Sequence, residues 1–224
     1  MKWVDVAGPP GCGKSTLCYP IWGDKSVGWD GKLPPEAWKP FLDVITSLCL
    51  LVRDHPSIEA VLRMNDRSAK KMATVARMQH DGTFIQTGFV QRVLGFGWRL
   101  QELGRDINLI SPALWLMPVS VGVAFIEAPL DVIMERNRGR EKVAATAHEN
   151  RSHQVPLMLP SIELAKKVLR GRGVPVVEID TTKPIDGARE DLVGFSNREA
   201  FDPAAGRLGG EAPLLQAPPP WWRS

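Results

Sequence analysis

Gly8-Pro9-Pro10-Gly11-Cys12-Gly13-Lys14-Ser15 satisfies the spacing G-x-x-x-x-G-K-[ST] in full. Glycines let a backbone turn tightly enough for successive N–H groups to face one anion, and a helix beginning at the loop's end adds its positive terminus. In such a loop the Lys14 ammonium reaches the β- and γ-phosphates, and the Ser15 hydroxyl holds magnesium. Cradle residues are therefore Gly8 to Ser15 together with Thr16. The chemistry they suit is binding of a magnesium–triphosphate, with ATP as the expected nucleotide.

The flanking sequence meets the structural requirement of that loop. Residues 2 to 7 read as a short buried strand, and Lys14 onward as a helix that Pro20 ends or kinks. Further on, apolar residues recur at helical spacing from Glu36 to Val52, then in helices over 56–64 and 68–80. A turn at Asp81 leads into a strand ending near Thr87, followed by a helical pattern over Val90–Leu103. Val119–Ala128 reads as an interior strand, Leu130–Arg138 as a helix, Ser161–Arg170 as another, and Val174–Ile179 as a last strand. A short strand near 27–29 completes the reading. Strands separated by helices predict an α/β fold with a parallel central sheet. Beyond residue 184 glycine and proline accumulate and the periodicity fades, which predicts a tail of uncertain order over 184–224.

Bulk properties narrow the class. The 224 residues suit one domain with a sizeable core, and 44% hydrophobic with 24% charged residues is an ordinary globular balance. A net charge of +3 is too mild to name a polyanionic partner. Cys12, Cys18 and Cys49 form neither a disulfide framework nor a metal-ligand spacing, which fits a reducing, cytoplasmic setting. Lys2 and Asp5 interrupt the only early apolar stretch, so no signal peptide is expected. The longest apolar run, Val44–Val52, is too short to span a bilayer. Absence of an N-K-x-D pattern argues against a GTPase.

From residue 1 to about 183 the chain resembles the nucleotide-kinase-like P-loop family. The resemblance is carried by GPPGCGKST, by VGVAFIEA with MERNRGRE after it, and by VPVVEID followed by Thr181, Thr182 and Lys183. It implies a three-layer P-loop fold, a helical acceptor-binding insert over about 23–80, and an arginine-rich lid over about 136–155. It also implies that Arg136 flanks the ATP base, that Arg138, Arg140 and Arg151 are lid residues, and that Thr181 to Lys183 lie near the adenine. Mobile guanidinium groups in such a lid clamp the charge of a transferring phosphoryl group. Within the family, Phe84–Trp98 (FIQTGFVQRVLGFGW) is similar to a segment of bacteriophage kinases that phosphorylate 5-hydroxymethyluracil in DNA. That likeness implies a phage-encoded enzyme of DNA modification, working in the host cytoplasm on hypermodified thymidine.

One departure bears on mechanism. Related kinases often carry an acidic residue where Gln86 and Thr87 stand here. The acid must then come from a loop, with Asp24, Asp30 and Asp81 available and Asp30 and Asp81 preferred. On the acceptor side, Trp22 and Trp29 are placed to stack on a base and Trp38 to lie in the core, and Arg63, Arg67, Lys70, Lys71 and Arg77 could hold phosphate. A duplex acceptor would require an extruded base, which Trp221 and Trp222 could also serve. The expectation is an ATP- and magnesium-dependent kinase of a nucleobase or nucleotide acceptor, possible as a homodimer and independent of membranes. Two alternatives remain open: a small-molecule (deoxy)nucleoside or nucleoside monophosphate kinase, and an ATP-binding switch protein without an acceptor.

Overall fold

A computed structural model describes residues 3–22, 39–57, 59, 83–86, 88–117, 122–143 and 151–201. Four strands form one parallel sheet in the order β2-β1-β3-β4: β1 (Trp3–Ala7), β2 (Thr83–Gln86), β3 (Gly122–Glu127) and β4 (Val176–Asp180). The register sets Ala7 opposite Phe125 and Glu127 opposite Asp180, so the ends of β1, β3 and β4 converge on one edge. In open parallel sheets that carboxyl edge is where ligands bind.

Alternation along the strands assigns the two faces. Ala7, Val123 and Phe125 pack against α2 (Lys39–Leu51), α3 (Phe89–Glu102), α4 (Ser111–Leu116) and α6 (Arg151–Gly171). Val4, Val6, Ala124 and Ile126 face α1 (Lys14–Trp22), α7 (Ile185–Phe201) and Ile133 of α5 (Leu130–Val143). The three layers and the parallel sheet are those expected.

Three expectations change. The helix at Lys14 is not ended by Pro20 but continues to Trp22. The helix expected from Ser161 begins ten residues earlier, at Arg151, because Val155, Met158, Ile162, Ala165 and Leu169 give one continuous buried stripe. The end of the expected lid is thus helical. Past residue 184, where a tail was expected, α7 packs Ala188, Leu192 and Phe195 into the core. The expected strand near 27–29 and helices over 56–64 and 68–80 lie outside the described residues, except for the turn at His55–Ser57 and the helical backbone of Glu59.

Asp5 breaks the apolar pattern of β1 and explains how α3 is seated. Its carboxylate is fully buried, and Oδ2 accepts the Val90 N–H at 3.0 Å, in the first turn of α3. An anion there also meets the positive helix end. Gly88 caps α3 without a side-chain hydrogen bond, and any Cβ at that position would collide with the Asp5 carboxyl.

Candidate functional site: the phosphate cradle

The loop after β1 closes upon its own cation. The Lys14 ammonium donates to the Gly8 carbonyl at 2.6 Å and the Pro9 carbonyl at 2.9 Å, and stands 3.5 Å from Cys12 Sγ. Ser15 and Thr16 follow, exposed at the start of α1. Cys12 and Cys18 are buried beneath the loop, and burial pushes the Cys18 thiol up to about 12 although Lys14 pulls the other way.

Side chains from three distant elements shape the loop. Gln91 of α3 accepts the Gly8 N–H through Oε1 at 2.9 Å. Asn137 of α5, fully buried, donates from Nδ2 to the Pro10 carbonyl at 2.9 Å. Its amide lies against Gly11, whose φ of +86° suits glycine and whose Cβ, if present, would fall 2.7 Å from Asn137 Oδ1. Thr181, just past β4, places its hydroxyl 2.7 Å from the Cys12 carbonyl and 3.0 Å from the Glu127 carbonyl, one proton serving two acceptors. Arg136 donates to the Thr181 hydroxyl and carbonyl, each at 3.1 Å.

The donor set fits a magnesium–triphosphate. Glycines at positive φ, an ammonium held by neutral acceptors and an exposed hydroxyl at a helix start are what a polyphosphate and its oxygen-liganded cation require. Among the described residues no group of three or more His, Cys, Asp or Glu could hold a metal by protein ligands alone.

The expected site residues divide into three groups. Gly8 to Thr16, Arg136 and Thr181 come together in one cluster at the carboxyl edge. Arg138 is exposed on α5, and Lys183 is exposed and paired with Asp191 at 3.2 Å. The backbone of Arg140 and Arg151 is helical. Asp24, Asp30, Asp81, Trp29, Trp38, Arg63, Arg67, Lys70, Lys71 and Arg77 lie outside the described residues. Gln91 and Asn137 were missed. Asn137 left a trace, being a polar residue one helical turn from Ile133 on the buried face of α5. Gln91 left a weaker one, an amide among Phe89, Val90, Val93 and Leu94.

The loop and the strand order together define a P-loop α/β fold. No protein-family model matches the chain, and no curated protein matches it. Among solved structures it is similar to the deoxyadenosine kinase from M. mycoides. With products dCMP and a flexible dCDP bound, that enzyme aligns at a TM-score of 0.53 and 14% identity, over 88% of this chain and 99% of the other. Its structures with bound dATP (TM-score 0.52, 15% identity, 87% and 99%) and dCTP (0.51, 16%, 88% and 99%) are similar as well. At such identities the likeness establishes the fold. Among the described residues no helix is long and apolar enough to cross a membrane.

Proposed function

We propose that this protein is an ATP-dependent kinase that phosphorylates a hydroxyl or phosphate of a nucleoside or nucleotide-type acceptor. The observation that carries the reading is the Lys14 ammonium resting on Gly8 and Pro9 carbonyls inside a glycine-shaped loop. A phosphate entering there offers the ammonium anionic oxygens in place of neutral carbonyls, adding charge–charge attraction to the hydrogen bonds. The fold's similarity to a kinase solved with dATP and dCTP supports the same reading.

In the proposed mechanism the loop amides and Lys14 hold the β- and γ-phosphates. Ser15 holds magnesium, which when bound neutralises phosphate charge. Arg136, with Thr181 and Lys183 nearby, borders the nucleobase end. Arg138 and Arg140 close on the γ-phosphate. The γ-phosphorus loses its bond to the bridging oxygen and gains one to the acceptor oxygen, whose proton passes to a carboxylate, Asp30 or Asp81. For the finer acceptor we propose the hydroxymethyl group of 5-hydroxymethyluracil in DNA. The support for it is the Phe84–Trp98 segment, which forms β2 and α3 and supplies Gln91 to the cradle.

The test is a panel of acceptors with γ-labelled ATP and magnesium: free deoxynucleosides, deoxynucleoside monophosphates, and DNA bearing 5-hydroxymethyluracil. Label on the DNA alone supports the finer acceptor, and label on free nucleosides or monophosphates replaces it with the small-molecule reading. Tight nucleotide binding with every acceptor unlabelled would overturn the kinase and leave a binding switch.

A further inference from the structure

α1 carries a defect that its own sequence creates. Pro20 sits in the second turn and has no N–H, so the Thr16 carbonyl, four residues earlier, lacks its helical donor. Thr16 directly follows Ser15, so the missing bond weakens the turn that presents the cradle's hydroxyl. Mid-helix proline ordinarily breaks or kinks a helix, and α1 nevertheless continues past it to Trp22.

The missing donor is supplied from the other end of the chain. Arg189 of α7 donates from one guanidinium nitrogen to the Thr16 carbonyl at 3.3 Å, and from the other to Asp186 Oδ1 at 2.9 Å. Ala188 and Leu192, on either side of it, are fully buried in the same core as Leu17 and Cys18. The arginine is thereby delivered by a packed helix.

We propose that Arg189 is a positioning residue of the phosphate cradle: it replaces the hydrogen bond that Pro20 withholds, and so makes α7 part of the nucleotide site. The contact stands on the structure, and only its consequence for nucleotide affinity rests on the function proposed above.

The test is a rescue cycle in the full-length protein. Arg189→Met keeps length and loses the donors. Pro20→Ala restores an N–H to the Thr16 carbonyl, and Asp186→Asn removes only the exposed ion pair. In ligand-free protein, amide exchange in α1 should quicken by about tenfold in Arg189→Met, the scale of one charge-assisted hydrogen bond, and return near the wild-type rate in the Pro20→Ala/Arg189→Met double variant. Magnesium–ATP dissociation constants should follow the same order, with Asp186→Asn close to wild type. Unchanged exchange in Arg189→Met, a double variant as fast as the single, or an equal effect of Asp186→Asn would each overturn the proposal. If the wild type takes up no magnesium–ATP, the function fails alone, and the exchange rates still decide the role of Arg189.

Discussion

Helix α3 has a polar cluster at each end, and the two are built on opposite plans. At its start Gln91 holds the Gly8 N–H, and around that loop an ammonium meets two backbone carbonyls and the Cys12 sulfur. At its end Glu102 accepts from two histidines, His55 at 2.7 Å and His153 at 3.1 Å. Ser57 N donates to His55 Nδ1 at 3.0 Å, which leaves the His55 proton on Nε2, facing Glu102. Arg99 donates to Ser57 Oγ at 2.8 Å, and the His55 ring meets Trp98 edge to face. There, charges and donors are matched by side chains in fixed positions. In the loop, a full charge is met by neutral acceptors. The Glu102 cluster fastens the turn after α2 to α3 and α6, while the loop's neutral acceptors are those that the proposed nucleotide phosphates would replace.

Removing the cation of the loop should break that contrast most severely. Lys14→Ala is expected to lower phosphoryl transfer by about a hundredfold or more, with the fold intact by circular dichroism. Transfer at the wild-type rate would refute the cradle. Next, Gly11→Ala forces a Cβ against Asn137 at a φ of +86°, and magnesium–nucleotide affinity by calorimetry should fall at least about tenfold. Adding Asn137→Ala should recover only part of the loss, because the backbone strain remains.

At the far end of α3, Glu102→Gln should cost about 1 kcal/mol of stability by denaturant titration and leave nucleotide affinity unchanged. Burial would raise the Glu102 carboxyl, but hydrogen bonds from His55 and His153 outweigh it and hold the group below the usual carboxylate range. A depressed carboxylate stabilises the fold above its unfolded pKa and loses that contribution as pH falls through its folded one. Wild type should therefore lose stability faster than Glu102→Gln on acidification below about pH 4.5. Equal slopes would show that the histidines do not grip it. Smallest of all, Lys183→Ala removes an exposed pair with Asp191 and should change stability by less than about 0.5 kcal/mol. A marked rise in KM for ATP in that variant would instead assign Lys183 to the nucleobase end.

The legible parts of this molecule were those whose physics is local. Gly8 to Ser15 announce their turn by residue type, and the apolar runs of β1 and β3 announce burial. α7 was missed because Gly187 and Gly194 dilute a stripe made of only Ala188, Leu192 and Phe195. Pro156 and Pro160 lie inside α6 and concealed its start, since proline ordinarily interrupts a helix. Gln91, Asn137 and Arg189 act on the loop and α1 across gaps of 83, 127 and 173 residues, and no window of sequence contains both partners. The basic stretch around Arg136 stood out in the sequence, but a place for it and for its partner Thr181 beside the loop came from the family resemblance.

The bond from Thr181 to the Cys12 carbonyl joins residues 169 positions apart. The glycine-rich loop is translated well before β3 and β4, yet it cannot assume its observed shape until both have emerged. Contacts of such long span form slowly. During that interval β1 waits with its β3-facing edge unpaired, so a segment translated before its partners matures only with them, and a chain truncated before β3 would carry the complete glycine-rich sequence without the bonds that shape it.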